Sequence, residues 1–474
     1  MAAVAAAPVA APAARAAAHR CESGTLGVEA GPLSRAARKR LALSDGVLAA
    51  LITRVLPSSP AEGAGIRRDD LLLQVGGKGV TGKCDFERHA FGLPCEEVRV
   101  LLRRGDAVLE MKLLPVEAAP LLDTRCHDGD AEACYRRAWL GLRSDPSDSG
   151  TERVLAPLEA ACGAASAEAC ALAGTLLVDR LNRSRDAVAA LQRGCDLGSG
   201  DACAQLAFLH ATGKLLAKDD RKATPLYLRS CDLGDPIGCY NAGLMAEKGR
   251  GMPSDLSRAR AAYEQGCEGG SSRACTNLGF LLQNGIGGPA DPLRSVASYR
   301  RGCDGTACDG PDLTACVNLG RAYRDGIGVA KNPAQAAAAF RDACEAPTRE
   351  EGDPADRARA CALLGSLYLS GSGVAKDLPR GRELSERGCG SGDAFGCFNA
   401  GAVFAHGLGV AKDPARALSF YEAACRAGDG EGCHEAARAH EAGTGVPADP
   451  RRAAELFRKA CEAGFASDCP KRWR

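Results

Sequence analysis

At 474 residues the chain exceeds one ordinary core, so it holds two or three domains or an extended repeat array. Aromatic residues make up only 4% of it while 46% is hydrophobic, so alanine, valine and leucine carry the packing and closely approaching helices are expected. The 60 basic and 59 acidic residues are interspersed to a formal net charge of +1. That balance argues against a nucleic-acid partner, and no apolar run of about twenty residues marks a membrane span.

Residues 1–20 are rich in alanine and proline and lack the basic start and leucine-rich core of a leader, so they read as a disordered tail. Residues 21–118 have a β texture. Leu48–Leu56, Asp70–Val75, Glu97–Leu102 and Val108–Leu113 read as strands, Gly76-Gly77 and Arg103-Arg104-Gly105-Asp106 as connections, and Asp85–Phe91 as one short helix. The order of Gly24-Thr25-Leu26-Gly27-Val28, then ITRVLPSSPAEGAGIRRDDLLLQVGGKGV, a helix and a closing hairpin resembles a PDZ domain of the kind found in bacterial HtrA-like proteases. The resemblance implies that a partner's C-terminal strand joins a sheet edge. Its carboxylate would be captured in the loop of Thr25, Leu26, Gly27 and Val28, with Phe86 and His89 facing the groove from the helix.

Residues 119–474 repeat. Most cysteines there stand in pairs eight apart, and the leading cysteines from Cys195 to Cys303 follow each other at 36 residues, the length of one helix pair. The pair of Cys303 and Cys316 carries five extra residues and that of Cys344 and Cys361 nine, yet each second cysteine stays 28 residues from the next first one. Insertions inside the pairs are expected if each pair brackets an exposed turn. The three-residue shortening between Cys170 and Cys195 is expected near Leu181–Asp186.

Four residues after the second cysteine stand Ala138, Gly174, Ala207, Gly243, Gly279, Gly320, Gly365, Gly401 and Ala437, all small, which lets neighbouring helices approach closely. Three residues further come bulkier side chains, His210, Leu282, Tyr323, Tyr368, Phe404 and His440, on the same helical face. The first helix then stops at Gly213, Gly249, Gly285, Gly326, Gly371, Gly407 or Gly443. Asp291-Pro292, Asn332-Pro333, Asp413-Pro414 and Asp449-Pro450 start the second helix, which runs to an aromatic residue four before the next cysteine: Tyr227, Tyr263, Tyr299, Phe340, Tyr421 or Phe457.

The stretch LGRAYRDGIGVAKNPAQAAAAFRDAC at 319–344 resembles a Sel-one-like repeat, a relative of the tetratricopeptide repeat, and about nine units span 126–469 with the first two degenerate. The expected fold is a small mostly-β PDZ-like domain followed by an all-α right-handed solenoid of antiparallel helix pairs.

The paired cysteines further resemble the exported, cysteine-rich Hcp-type branch, in which such pairs are disulfides. The resemblance implies bonds of Cys126 with Cys134, Cys162 with Cys170, Cys195 with Cys203, Cys231 with Cys239, Cys267 with Cys275, Cys303 with Cys316, Cys344 with Cys361, Cys389 with Cys397, Cys425 with Cys433 and Cys461 with Cys469. Zinc ligation and reduced core cysteines are the alternatives; zinc sites usually show cysteines two to four apart matched by a second such pair, which is absent here. Oxidised pairs imply a periplasmic or secreted protein, reduced ones a cytoplasmic protein. Cys21, Cys84, Cys95 and Cys308 lie outside the scheme.

Catalytic signals are weak. His434-Glu435 and His440 lack the four-residue histidine spacing of a zinc hydrolase helix, and His440 occupies a packing slot. Ser-x-x-Lys, Ser-Asp-Asn, Lys-Thr-Gly and Gly-x-Ser-x-Gly are all absent. No metal or cofactor is expected. The reading is a non-catalytic adaptor, binding proteins or peptides on a concave solenoid surface and C-terminal peptides at the PDZ-like groove. The alternative is a hydrolase of β-lactams or cell-wall peptides, as suggested for some cysteine-rich relatives. Alkylation without reductant, followed by intact-mass measurement, should add label to no more than the four cysteines outside the pairs. Labelling of about twenty would make them reduced core residues.

Overall fold

In the N-terminal sheet, side chains alternate between core and solvent as an amphipathic strand requires: Val98, Val100 and Leu102 are buried while Arg99 is exposed. A computed structural model describes residues 24–25, 28–31, 41, 49–55, 59–80, 91–93, 98–113, 116–117, 122–123, 126, 130–144, 147–179, 184–304, 310–346, 354–465 and 467. Two antiparallel sheets form. One has the order β2 (Val28–Gly31), β3 (Ala50–Val55), β4 (Leu71–Val75), β7 (Val98–Arg104) and β8 (Ala107–Leu113), with β5 (Lys78–Gly79) added to β4. In the other, β1 (Gly24–Thr25) lies between β6 (Phe91–Leu93) and β9 (Val116–Glu117). Val28, Ile52, Leu72, Val100, Leu102 and Leu113 form the core, closed by Ala61 of the short helix α1 (Pro60–Gly63).

Two details differ from expectation. Arg103 and Arg104 belong to β7, leaving a two-residue turn at Gly105-Asp106, because Arg103 pairs with Val108 and Arg104 with Ala107. The Arg104 guanidinium then forks onto Asp70, Nε to Oδ1 and Nη2 to Oδ2 both at 2.7 Å. Phe91 opens β6 rather than closing a helix; residues 81–90 lie outside the described residues.

Eighteen further helices follow among the described residues, in pairs. They are α2 (Ala131–Ser144) with α3 (Asp148–Gly163), α4 (Ala167–Asp179) with α5 (Ser184–Asp196), α6 (Gly200–Thr212) with α7 (Asp220–Asp232), and α8 (Pro236–Lys248) with α9 (Leu256–Gly269), followed in the chain by α10 (Ser272–Asn284) and α11 (Pro292–Cys303). Then come α12 (Leu313–Asp325) with α13 (Pro333–Glu345), α14 (Pro354–Ser370) with α15 (Leu378–Gly390), α16 (Ala394–His406) with α17 (Pro414–Arg426), and α18 (Gly430–Ala442) with α19 (Pro450–Glu462). The chain divides into two compact units. One runs to Leu281 and takes in Gly285–Ala290; the other holds Leu282–Asn284, Asp291–Gly305 and the chain from Pro311.

Each boundary has a local cause. Asp219, Asp255, Asp291, Asn332, Asp377, Asp413 and Asp449 cap the second helices by accepting a backbone N–H two or three residues on. The first helix ends in a left-handed residue, as at Gly326 with φ 78°. In four pairs the small slot receives the second helix's bulky side chain: Gly174 faces Leu191, Gly243 faces Tyr263, Gly320 faces Phe340 and Gly401 faces Tyr421, whereas Gly365 of α14 meets the small Ser385 and the Gly381 backbone. The shortening before Cys195 falls in the connection within a pair, where α4 and α5 are separated by residues 180–183 and α6 and α7 by 213–219. The insertion between Cys344 and Cys361 is more than loop: α14 has 17 residues where α16 has 13, so one helical turn was added ahead of the second cysteine.

Neighbouring pairs lock at the turns. Arg250 stands where Ile286, Ile327 and Leu408 stand in other turns, and its guanidinium grips Asp220 of the preceding pair at 2.6 and 3.0 Å while Nη2 donates to the Ala211 carbonyl at 3.2 Å. The Arg250 guanidinium holds the Asp220 carboxyl below its ordinary pKa. A folded-state pKa below the unfolded one stabilises the fold above the unfolded value, and this contribution is lost as pH falls through the folded one. Asp220→Asn should therefore lower Tm by about 1–3 °C at neutral pH, since the pair is partly exposed. The gap should close as thermal melts are taken into the acid range.

Candidate protein-interaction surface

Successive helical residues turn by about 100°, so the second cysteine, the small residue four on and the bulky residue seven on share one face of each first helix. The residues two and five positions after that cysteine therefore lie on the opposite side. In the first unit they are Gln205 and Phe208 on α6, Asn241 and Leu244 on α8, and Asn277 and Phe280 on α10; in the second they include Asn318 and Arg321 on α12 and Asn399 and Ala402 on α16. Phe208 is 44% and Phe280 52% exposed, and Ile237, one turn before Asn241, is 48% exposed.

The amides are held in place. Asn241 Nδ2 donates to the Ile237 carbonyl at 3.1 Å. Asn277 lies against the hydroxyl of Tyr263, which donates to Glu247 Oε2 at 2.6 Å; burial, then Glu247, push the Tyr263 pKa well above its ordinary value. Asn399 is buried, and among the described residues its Nδ2 has no partner. Arg321 is half-buried and makes no hydrogen bond or ion pair among the described residues; burial, then the like charges of Arg359 and Arg324, hold its guanidinium below the ordinary value. The recurring amide was visible in the sequence as an Asn or Gln two residues past the cysteine. It lies off the apolar stripe, which is why a search for core periodicity passes over it.

The cysteines come together as neighbours. Cys126 lies beside Cys134 and Cys162 beside Cys170, and the same holds for Cys195 and Cys203, Cys231 and Cys239, and Cys267 and Cys275. Further along, Cys303 meets Cys316, Cys344 meets Cys361, Cys389 meets Cys397 and Cys425 meets Cys433. In these nine pairs the sulfur atoms are 1.94–2.11 Å apart and the Cα atoms 4.3–4.8 Å apart. The insertions that separate Cys303 from Cys316 and Cys344 from Cys361 leave the Cα distance at 4.7 and 4.8 Å. Cys461 is also disulfide-bonded; Cys469, Cys21, Cys84, Cys95 and Cys308 lie outside the described residues. From Cys162 to Cys433 each bond ties a second helix to the first helix of the next pair, as Cys195 of α5 to Cys203 of α6.

Of the N-terminal candidates, Thr25 sits in β1 and Val28 opens β2, its side chain buried at 4% exposure; Leu26, Gly27, Phe86 and His89 lie outside the described residues. Strand β2 pairs with β3 and is the outermost strand of its sheet among the described residues. His440 is buried, with Nε2 3.1 Å from Glu422 Oε1, and His434 packs its ring 4.6 Å from that of Phe465. A cavity of about 380 Å³ lies between α2 and α3, bordered by Arg137, Gly141, Gly150 and Pro157, with Arg137 bound to Asp123 at 2.6 Å. No helix among the described residues is long and apolar enough to cross a membrane.

Helix pairs repeated along the chain, several of them closed by a small residue against a bulky one, define a helical-repeat protein of the tetratricopeptide-like class. The Sel1 repeat model matches seven stretches, 200–235, 236–271, 272–305, 313–345, 358–393, 394–429 and 430–465, and the chain belongs to the Sel1 repeat family. The two earlier pairs, α2–α3 and α4–α5, precede the matched stretches. Among solved structures, a Sel1 repeat protein from Oxalobacter formigenes is 22% identical, covering 70% of this chain and 91% of its own, with a TM-score of 0.49. The protective antigen c5321 of uropathogenic Escherichia coli, which displays an SLR fold, is 20% identical over 74% of this chain and 80% of its own, at a TM-score of 0.46. Cysteine-rich protein B of Helicobacter pylori is 27% identical over 24% of this chain and 86% of its own, at 0.22. Comparison with curated proteins gives no match.

Proposed function

We propose that the protein is a non-catalytic scaffold that binds extended segments of other proteins along the outward faces of its first helices. The observation that carries this reading is the amide that recurs two residues after the second cysteine on α6, α8, α10, α12 and α16, with a large side chain three residues further in all of these but α16. A side-chain amide offers a donor and an acceptor together, which is what an extended peptide backbone needs. Exposed Phe208 and Phe280 add apolar area of the kind that marks interaction sites. The N-terminal module contributes a second site in this reading. Its outermost strand β2 takes a partner strand, the loop of Thr25, Leu26, Gly27 and Val28 receives a chain-terminal carboxylate, and Phe86 and His89 line the groove. Disulfides that tie each pair to the next fit an oxidising compartment, the periplasm or the cell exterior.

Binding of full-length, oxidised protein to an array of extended peptides tests the scaffold. The double substitution Phe208→Ala with Phe280→Ala should weaken captured peptides ~10-fold or more with little change in melting temperature, since both rings are exposed. Unaltered binding would contradict the reading. Nitrocefin incubated with the same preparation should show no turnover above buffer, and hydrolysis that survives repurification would favour the hydrolase.

A further inference from the structure

We infer that Arg321 on α12 is a carboxylate-binding residue of the peptide surface, taking an acidic side chain from a bound segment. The inference rests on the scaffold reading and adds the chemistry of the partner. Arg321 occupies the position held by Phe208, Leu244 and Phe280 in the first unit and by Ala402 on α16, with Asn318 one turn earlier on the same face.

Its surroundings leave the guanidinium without a protein partner among the described residues. Arg324 is held by Asp325 at 2.8 and 2.9 Å, Arg359 by Asp393 at 3.3 Å, and Arg300 by the Tyr323 hydroxyl. Arg359 also lies over the Phe395 ring, 5.2 Å from its centroid. Arg321 has no such partner among the described residues, although it is half-buried and close enough to the buried Tyr299 phenol for that group to feel its charge. The two acidic groups that act on it, Asp356 and Asp325, are engaged elsewhere: Asp356 accepts from the Thr314 hydroxyl and Asp325 from Arg324.

A guanidinium partly withdrawn from water, with no protein partner and two like charges nearby, keeps its donors available to a ligand. A carboxylate arriving from outside would take two parallel N–H donors from Arg321 and relieve the repulsion from Arg324 and Arg359. The occupant is an acidic peptide rather than a nucleic acid or an anionic membrane. Asp325, Asp356 and Asp393 stand among the arginines, and a run of phosphates would meet them, whereas a single carboxylate fits the one unpaired fork.

The test uses the full-length, disulfide-intact protein and two end-capped, fluorescently labelled hexapeptides, one alternating glutamate and leucine, the other glutamine and leucine. Fluorescence anisotropy at low salt should show the glutamate peptide bound ~10-fold or more tightly than its glutamine counterpart. Arg321→Gln should erase that preference and leave the glutamine peptide unaffected, and Arg321→Lys should retain part of it. Because the guanidinium has no internal partner among the described residues, Arg321→Gln should melt at or above the wild-type temperature, so a loss of binding will not reflect unfolding. Equal affinity of the wild type for both peptides, or a preference that survives in Arg321→Gln, overturns the inference while leaving the scaffold reading in place. Failure of the glutamate peptide to bind overturns it too, and loss of all array binding would bring down the scaffold reading as well. Tight binding of a phosphoserine–leucine peptide with no response to the glutamate peptide would assign the site to phosphate and overturn the carboxylate.

Discussion

In three helix pairs an aromatic ring lies directly on a glycine where the two helices cross, and this contact sets how closely those helices approach. A Cβ added at Gly243 would come within 2.5 Å of the Tyr263 ring, at Gly320 within 2.4 Å of Phe340, and at Gly401 within 2.7 Å of Tyr421. These rings are 0%, 0% and 6% exposed, so they have nowhere to retreat. Glycine within a helix costs roughly 1 kcal/mol relative to alanine. Its retention at these positions means that the packing gained by close approach exceeds that cost. The same contact builds the outer surface, since the Tyr263 hydroxyl passes between first helices to reach Glu247 and Asn277. Core packing and the outer polar contacts are two ends of one side chain.

Around that contact the disulfides and turns hold one pair to the next. The bonds close short segments, which in the chain-entropy view is worth roughly 2–3 kcal/mol each by restricting the unfolded chain. Where a turn carries a second glycine, that glycine rests on the start of the preceding second helix, as Gly328 does on the Pro292 carbonyl. A chain poor in aromatic residues thereby gains order from cross-links and backbone contacts that a thin apolar core would not supply alone. The Arg250–Asp220 pair does this work at a turn that carries a charge in place of an apolar residue.

Much of this was legible in the sequence because each repeat must satisfy the same contacts, so glycine, aromatic and cysteine return at fixed offsets. Strands β3, β4, β7 and β8 were legible as short runs of alternating apolar residues, whereas Phe91, which opens β6, reads in the sequence as the end of a helix. The extra turn of α14 was harder to read, since an insertion can become loop or helix, although Pro354 at a helix start was a signal. First-helix caps at Ser199, Asp235, Ser271, Asp393 and Asp429 recur four residues before the second cysteine and were equally available. The Arg104–Asp70 fork and the isolation of Arg321 were not legible. Each depends on which charges the fold brings near, and an interspersed charge pattern does not specify that.

The contact between Tyr263 and Gly243 is tested most directly by thermal unfolding of Gly243→Ala, Tyr263→Leu and the double variant. In a helix with open space, glycine to alanine should stabilise by roughly 1 kcal/mol. If the ring fixes the helix spacing, Gly243→Ala lowers Tm, and the double variant loses clearly less than the sum of the two single losses. A raised Tm for Gly243→Ala, or strictly additive losses, would contradict the account.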